Sequence, residues 1–110
     1  MKIGFPFFGI QATKYPAVAA KGDEVGFESC WMPEHLVLPV DISPTYPYAA
    51  DGLPPIKSHT QMYDPWVTLS FVAAATQNLL LGTNVYILPL RNPFVTARMV
   101  TTLDMMSGGR

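Results

Sequence analysis

Two adjacent residues carry the chemistry in this chain: Glu34, a carboxylate, and His35, an imidazole. A histidine titrates near neutral pH and can donate or accept a proton, and a neighbouring carboxylate can orient it or act as the base itself. The pair follows Phe27 to Trp31, an apolar run, then Met32 and Pro33. Ionisable groups at the end of a buried strand are held by the scaffold yet open to solvent and substrate, which is where α/β proteins place their reactions. The plainer reading is that both residues close a strand and bond to loop backbone.

The remaining polar candidates are fewer. His59 stands far from His35, with no paired-cysteine or HExxH spacing near either, so no zinc site is expected. Arg91 suits either an anionic ligand or a neighbouring acid. Tyr46, Tyr48, Tyr63 and Trp66 suit a substrate mouth or simple loop packing. Cys30 lies within the apolar strand and reads as a small buried hydrophobe. Met99, Met105 and Met106 read as core or interface packing.

The elements that must position these groups follow from pattern and punctuation. Lys2 to Phe5 reads as a first strand ended by Pro6, which cannot donate to a sheet ladder. Pro16 suits the first position of a helix through Ala17–Ala20 and Val25, stopped by Gly26. Gly22 inside it costs about 1 kcal/mol relative to alanine on helix propensity alone. Phe27 to Met32 is the second strand. From Leu36 to Tyr63 comes a proline- and tyrosine-rich segment, with prolines at 39, 44, 47, 54 and 55. Loops beyond about 12–15 residues are usually functional or disordered. The aromatics favour an ordered excursion across the C-terminal ends of the strands.

Asp64-Pro65 is a helix start with cap and proline in place, and the helix runs to about Gln77. Leu79 to Val85 is a third strand, apolar on both faces as parallel strands are. Asn92-Pro93 starts a last helix, striped by Val95, Met99, Val100, Leu103 and Met106 and ended by Gly108. The order β-α-β-loop-α-β-α predicts an α/β fold with a parallel sheet. The first βα turn has no dinucleotide-binding glycine fingerprint. The placement of Glu34-His35 fits a TIM-type (β/α)₈ barrel, which typically takes about 250 residues. The 110 residues then correspond to its first three βα units, an apparently truncated barrel with a long insertion after strand 2.

Composition narrows the classes. Seven basic and eight acidic side chains give a net charge of −1, which leaves no footprint for nucleic acid or an anionic membrane. Charged residues are 14% and hydrophobic ones 49%, which suits part of a larger core more than a small free-standing domain. No apolar run reaches the roughly 20 residues of a membrane span, and the N-terminus lacks the features of a signal peptide. The expectation is a soluble, cytoplasmic protein. Two open sheet edges predict association with a second copy or a complementing half-barrel.

Taken together, Gly26-Phe27-Glu28-Ser29 into Trp31-Met32-Pro33-Glu34-His35, Asp64-Pro65, Ala73-Ala74-Ala75-Thr76, Leu81-Gly82-Thr83-Asn84-Val85, Leu88-Pro89-Leu90-Arg91-Asn92-Pro93 and the stretch from Thr102 to Arg110 resemble the first half of luciferase-like flavin oxidoreductases. Tyr46-Pro47-Tyr48 and Asp51-Gly52 are most similar to the branch using the deazaflavin coenzyme F420, whereas sister branches use reduced FMN and oxygen. The resemblance implies a cofactor across the barrel mouth and hydride transfer or monooxygenation on a small organic substrate. It also implies His35 and Glu34 as the catalytic pair. Asn84-Val85 matches a position where the family often has a non-proline cis peptide, and Gly4 and Phe5 are counted with the same cofactor wall. Tyr46, Tyr48, Trp66 and Arg91 would face the substrate. The family binds the cofactor phosphate mainly through later strands and helices. A non-catalytic, self-associating fragment or flavin-binding protein is the competing expectation.

Overall fold

A computed structural model describes residues 1–43 and 45–110. The proline at 44, counted above in the loop's composition, lies outside the described residues. Three short strands, β1 (Gly4–Pro6), β2 (Ser29–Met32) and β3 (Leu80–Thr83), form a parallel sheet in the order β1-β2-β3. Phe5 pairs with Cys30, which pairs with Leu81. Helices α1 (Tyr15–Glu24), α2 (Pro65–Ala74) and α3 (Pro93–Ser107) make up the rest of the regular structure, with 3₁₀ turns at Ala12–Lys14 and Leu88–Leu90. The described part of the segment between Leu36 and Tyr63 holds no helix or strand.

The strands are shorter than the apolar runs suggest. Pro6 is the last residue of β1 and does not stop the strand short; β1 lies at the sheet edge, where a missing N–H costs no ladder bond. Phe27 is outside β2 because its N–H donates to Gly22 O at 2.9 Å, closing the end of α1. Gly26 takes the left-handed conformation at that turn, with φ 86°. Helix α2 ends at Ala74, not Gln77, and Asp64 caps its start by accepting from Trp66 N and Val67 N at 3.0 and 3.1 Å. Asn92 caps α3 in the same way, and Gly108 closes it at φ 77°.

All three helices pack on one face of the sheet. Strand alternation sends Phe5, Cys30, Met32 and Leu81 to that side. There they meet Phe7, Tyr15, Ala19, Leu69, Val72, Leu79 and Leu103 in one core. Burial pushes the Cys30 thiol up to about 12, so it stays protonated and inert in the core. Of the two packing alternatives for the methionines, the core is not where they lie: Met105 and Met106 are exposed and Met99 is half-buried, because α3 docks chiefly through Leu103 and Thr96.

Gly22 reverses an expectation from helix propensity. An added Cβ would lie 2.6 Å from Phe5 Cε1, and that ring is hemmed by Phe7 and Phe27 at 5.4 and 5.2 Å. Gly22→Ala is therefore expected to destabilise by about 1–3 kcal/mol through overpacking. A thermal melt showing stabilisation instead would refute this.

The other face of the sheet is uncovered. Trp31 and Leu80 point into it and are 41% and 42% exposed. The Trp31 indole lies across the sheet and donates its N–H to Ser29 Oγ at 3.0 Å. Its ring occupies the space that side chains would need at Gly4 and Gly82, where an added Cβ would sit 2.8 and 2.5 Å from indole atoms.

The N-terminal ends of the strands are tied by Arg110 and Asp23. Arg110 donates to Ala73 O, Leu79 O and Thr76 Oγ1, each at 3.0 Å, and to Ser107 O at 2.8 Å. It thereby caps the C-terminus of α2. Asp23 of α1 accepts from Gln77 N at 2.5 Å and Asn78 N at 3.1 Å. The Gln77 amide in particular holds the Asp23 carboxyl below its ordinary value. A depressed folded pKa contributes stability present above the unfolded value of about 3.9 and lost as pH falls through the folded one. Asp23→Asn is expected to flatten the acid limb of a stability–pH curve below about pH 4. An unchanged limb would remove the assignment.

Candidate functional site

The C-terminal end of the sheet is organised around Glu34. Pro33 carries the chain out of β2, and the Glu34 side chain turns inward until only 1% of it is exposed. A buried carboxylate must be paired and hydrogen-bonded. Arg91 Nη2 ion-pairs with Oε1, and the backbone N–H of Ile87 donates to Oε2 at 2.6 Å. Arg91, itself 16% exposed, also faces Asp64 Oδ2 at 3.4 Å through Nη1. Its guanidinium stands 5.2 Å from the Tyr86 ring centroid.

Glu34 is thus a structural anion. It ties the end of β2 to the loop after β3, and Arg91 extends the tie to the residue that caps α2. Glu34 Oε1 faces Arg91 and Oε2 accepts from Ile87 N, so both oxygens of the proposed base are turned to protein partners. Of the two readings open for Arg91, pairing with acids is the one found. Tyr86 and the Ile87 amide belong to this assembly and carry no sequence signal, since one contributes a ring face and the other a backbone group.

His35 follows directly and is exposed. Its backbone is fixed by the locked residue before it, while its imidazole is open to solvent. Asn84 and Val85 sit at the neighbouring strand end. Asn84 N donates to Met32 O at 2.9 Å, extending the β2–β3 ladder by one bond. The Asn84–Val85 peptide is cis, and Val85 is 71% exposed. Glu34, His35, Asn84, Val85 and Arg91 therefore gather at one end of the sheet.

Other candidates fall elsewhere. Gly4 lies on the open face, where the Ser29 hydroxyl and the Trp31 indole together leave no room for a side chain. Phe5 turns its ring to the helix side, against Gly22. Trp66 packs its ring 5.2 Å from Tyr86 and lines a cavity between α2 and α3. Tyr46 and Tyr48 stack edge-on at 5.5 Å within the long loop, the loop-packing alternative. Among the described residues no cluster of three or more His, Cys, Asp or Glu could hold a metal, and no helix is long and apolar enough to cross a membrane.

The residues present fit part of a flavin or deazaflavin. The Trp31 indole and Val85 offer apolar surface on the open face and at its C-terminal rim, suited to a planar ring system. They do not fit the phosphate: Arg91 is already neutralised by two carboxylates.

Comparison with known proteins agrees with this architecture. The chain is 32% identical to two uncharacterized proteins of Mycobacterium tuberculosis and to one of Mycobacterium bovis, with the whole chain aligned in each case. It spans 39% of the length of these relatives. Residues 10–110 match the model of the luciferase-like monooxygenases. With a parallel βα sheet and a match over nearly its full length, the chain belongs to the luciferase-like monooxygenase family.

Proposed function

We propose that this chain forms the strand-1 to strand-3 wall of a flavin- or F420-dependent oxidoreductase acting on a small organic substrate, within a TIM-type barrel. The observation that carries the reading is the gathering of His35, Asn84 and Val85 around the buried Glu34–Arg91 pair at the C-terminal end of the sheet, in a member of this family. That end is where barrels of this type keep their chemistry. When bound, the cofactor supplies hydride acceptance or donation, or oxygen activation. Trp31 and Val85 are the residues that would border its ring system. His35 holds or releases a proton at its imidazole, and Glu34 and Arg91 keep the surrounding loops in place. Phosphate contacts fall to the part of the relatives' length that this chain does not span.

Titration with coenzyme F420 and with FMN tests this. Micromolar binding of one of them, with hydride transfer to or from a small organic partner, is the expected result. Failure of both to bind to a protein shown to be folded would overturn it.

A second reading has its own observation. The sheet face carrying Trp31 and Leu80 is open, and β1 and β3 each have an unpaired edge. Surfaces of this kind are ordinarily covered. This favours assembly with a second copy or a complementing half-barrel, and sedimentation showing a monodisperse monomer would exclude it.

A further inference from the structure

A cavity of about 430 Å³ opens at the top of the molecule on the helix side of the sheet, away from the open face that carries Trp31. It is bounded by the segment after β1, by Met32 and Pro33 at the end of β2, by Tyr15 of α1, and by the last part of the long loop. Its volume falls within the roughly 300–1,000 Å³ of small-molecule sites. Phe7, Phe8, Ile10, Pro33 and Ile56 make apolar walls, and no Asp, Glu, Lys, Arg or His lines it.

The polar groups are few and neutral. Gln11, Thr60 and Gln61 reach the cavity. The Thr60 oxygen accepts from Lys57 N at 2.9 Å, which leaves its hydroxyl proton to donate. Tyr63 OH donates to Gln61 Oε1 at 2.8 Å, leaving the Gln61 amide N–H groups free. Burial, and then nearby Tyr63, raise the Tyr15 phenol above its ordinary value, so it also stays neutral.

We infer that this cavity is a second small-molecule site, built for an uncharged, largely apolar ligand with one hydrogen-bond-accepting group. A charged ligand would leave water for walls that offer no counter-charge, which is costly. A neutral ring body gains from the apolar walls, and a carbonyl or ether oxygen on it would meet the Thr60 hydroxyl and Gln61 amide.

A matched pair of dyes tests the site without reference to turnover or cofactor: neutral phenylnaphthylamine and its sulfonated counterpart, anilinonaphthalene sulfonate. The neutral dye should bind saturably at one site, with the sulfonate at least about tenfold weaker. Ile56→Trp, which fills the cavity from an irregular loop, should weaken the neutral dye about tenfold. Phe71→Ser, on the outer face of α2, should leave it unchanged. Gln11→Arg adds a cation through an exposed side chain and should narrow the gap between the dyes; it decides the matter if the Ile56 variant does not fold. Equal affinity for both dyes, or neutral-dye binding indifferent to Ile56→Trp, would overturn the inference. Because no cofactor is involved, dye binding with failed F420 and FMN titrations would overturn the redox reading alone.

Discussion

On the proposed redox function, His35→Ala is expected to lower turnover by about 10²–10⁴-fold, the usual contribution of a positioned general acid or base. His59→Ala should leave it within a few-fold of the parent. The two histidines are both exposed, so exposure does not separate them; their supports do. His35 follows a residue whose side chain is pinned by an arginine and a backbone amide, which holds the strand end in one place. His59 sits in the irregular segment, on a turn whose described anchors are the bonds between Lys57 and Thr60. Steady-state rates of the two variants make the comparison, and equal losses would remove the assignment. Glu34→Gln offers a contrast, since its main effect should fall on stability.

Arg91→Met should cost about 3–5 kcal/mol of folding stability, the penalty for leaving a buried charge without its partner. Native domains have only about 5–15 kcal/mol in hand, so the variant is expected to sit near the edge of folding. Glu34 is the more deeply buried partner, and Arg91 retains Asp64 and some solvent when Glu34 is neutralised. Glu34→Gln alone should therefore cost less. The double variant, Glu34→Gln with Arg91→Met, should recover much of the loss, because no bare charge remains. Denaturant midpoints of the four proteins complete the cycle. A single Arg91→Met variant within about 0.5 kcal/mol of the parent, the range of an ordinary surface change, would show that the pair is solvated.

The order of elements was legible because each has local punctuation. Asp64-Pro65 and Asn92-Pro93 start helices, and Gly26 and Gly108 stand where the backbone turns left-handed. Element ends were less legible. Phe27 and Leu79 look like strand residues by type but serve a helix-end bond and the core. The placement of the candidates was legible, since His35, Asn84 and Val85 lie at the same end of the sheet. Its wiring was not. Glu34 finds its partners in Arg91 and the Ile87 amide, distant in sequence, and a backbone amide leaves no mark on residue type. Asp23 and Arg110 escaped for the same reason, because most of their partners are main-chain groups. The α3 stripe misled in the opposite sense: apolar spacing shows which residues suit burial, not how much of a helix its neighbours cover.

Neither Gly4 nor Gly82 has a positive φ, so glycine is required not by backbone conformation but by neighbours: the indole at 82, and the Ser29 hydroxyl together with the indole at 4. Positions 4, 29, 31 and 82 therefore form one epistatic unit drawn from three strands. While tryptophan occupies 31, a side chain at 82 collides with it; a small residue at 31 would release position 82, whereas a side chain at 4 would still collide with the Ser29 hydroxyl oxygen. Substitutions at these positions cannot be scored one at a time, and the order in which they arise decides which are tolerated.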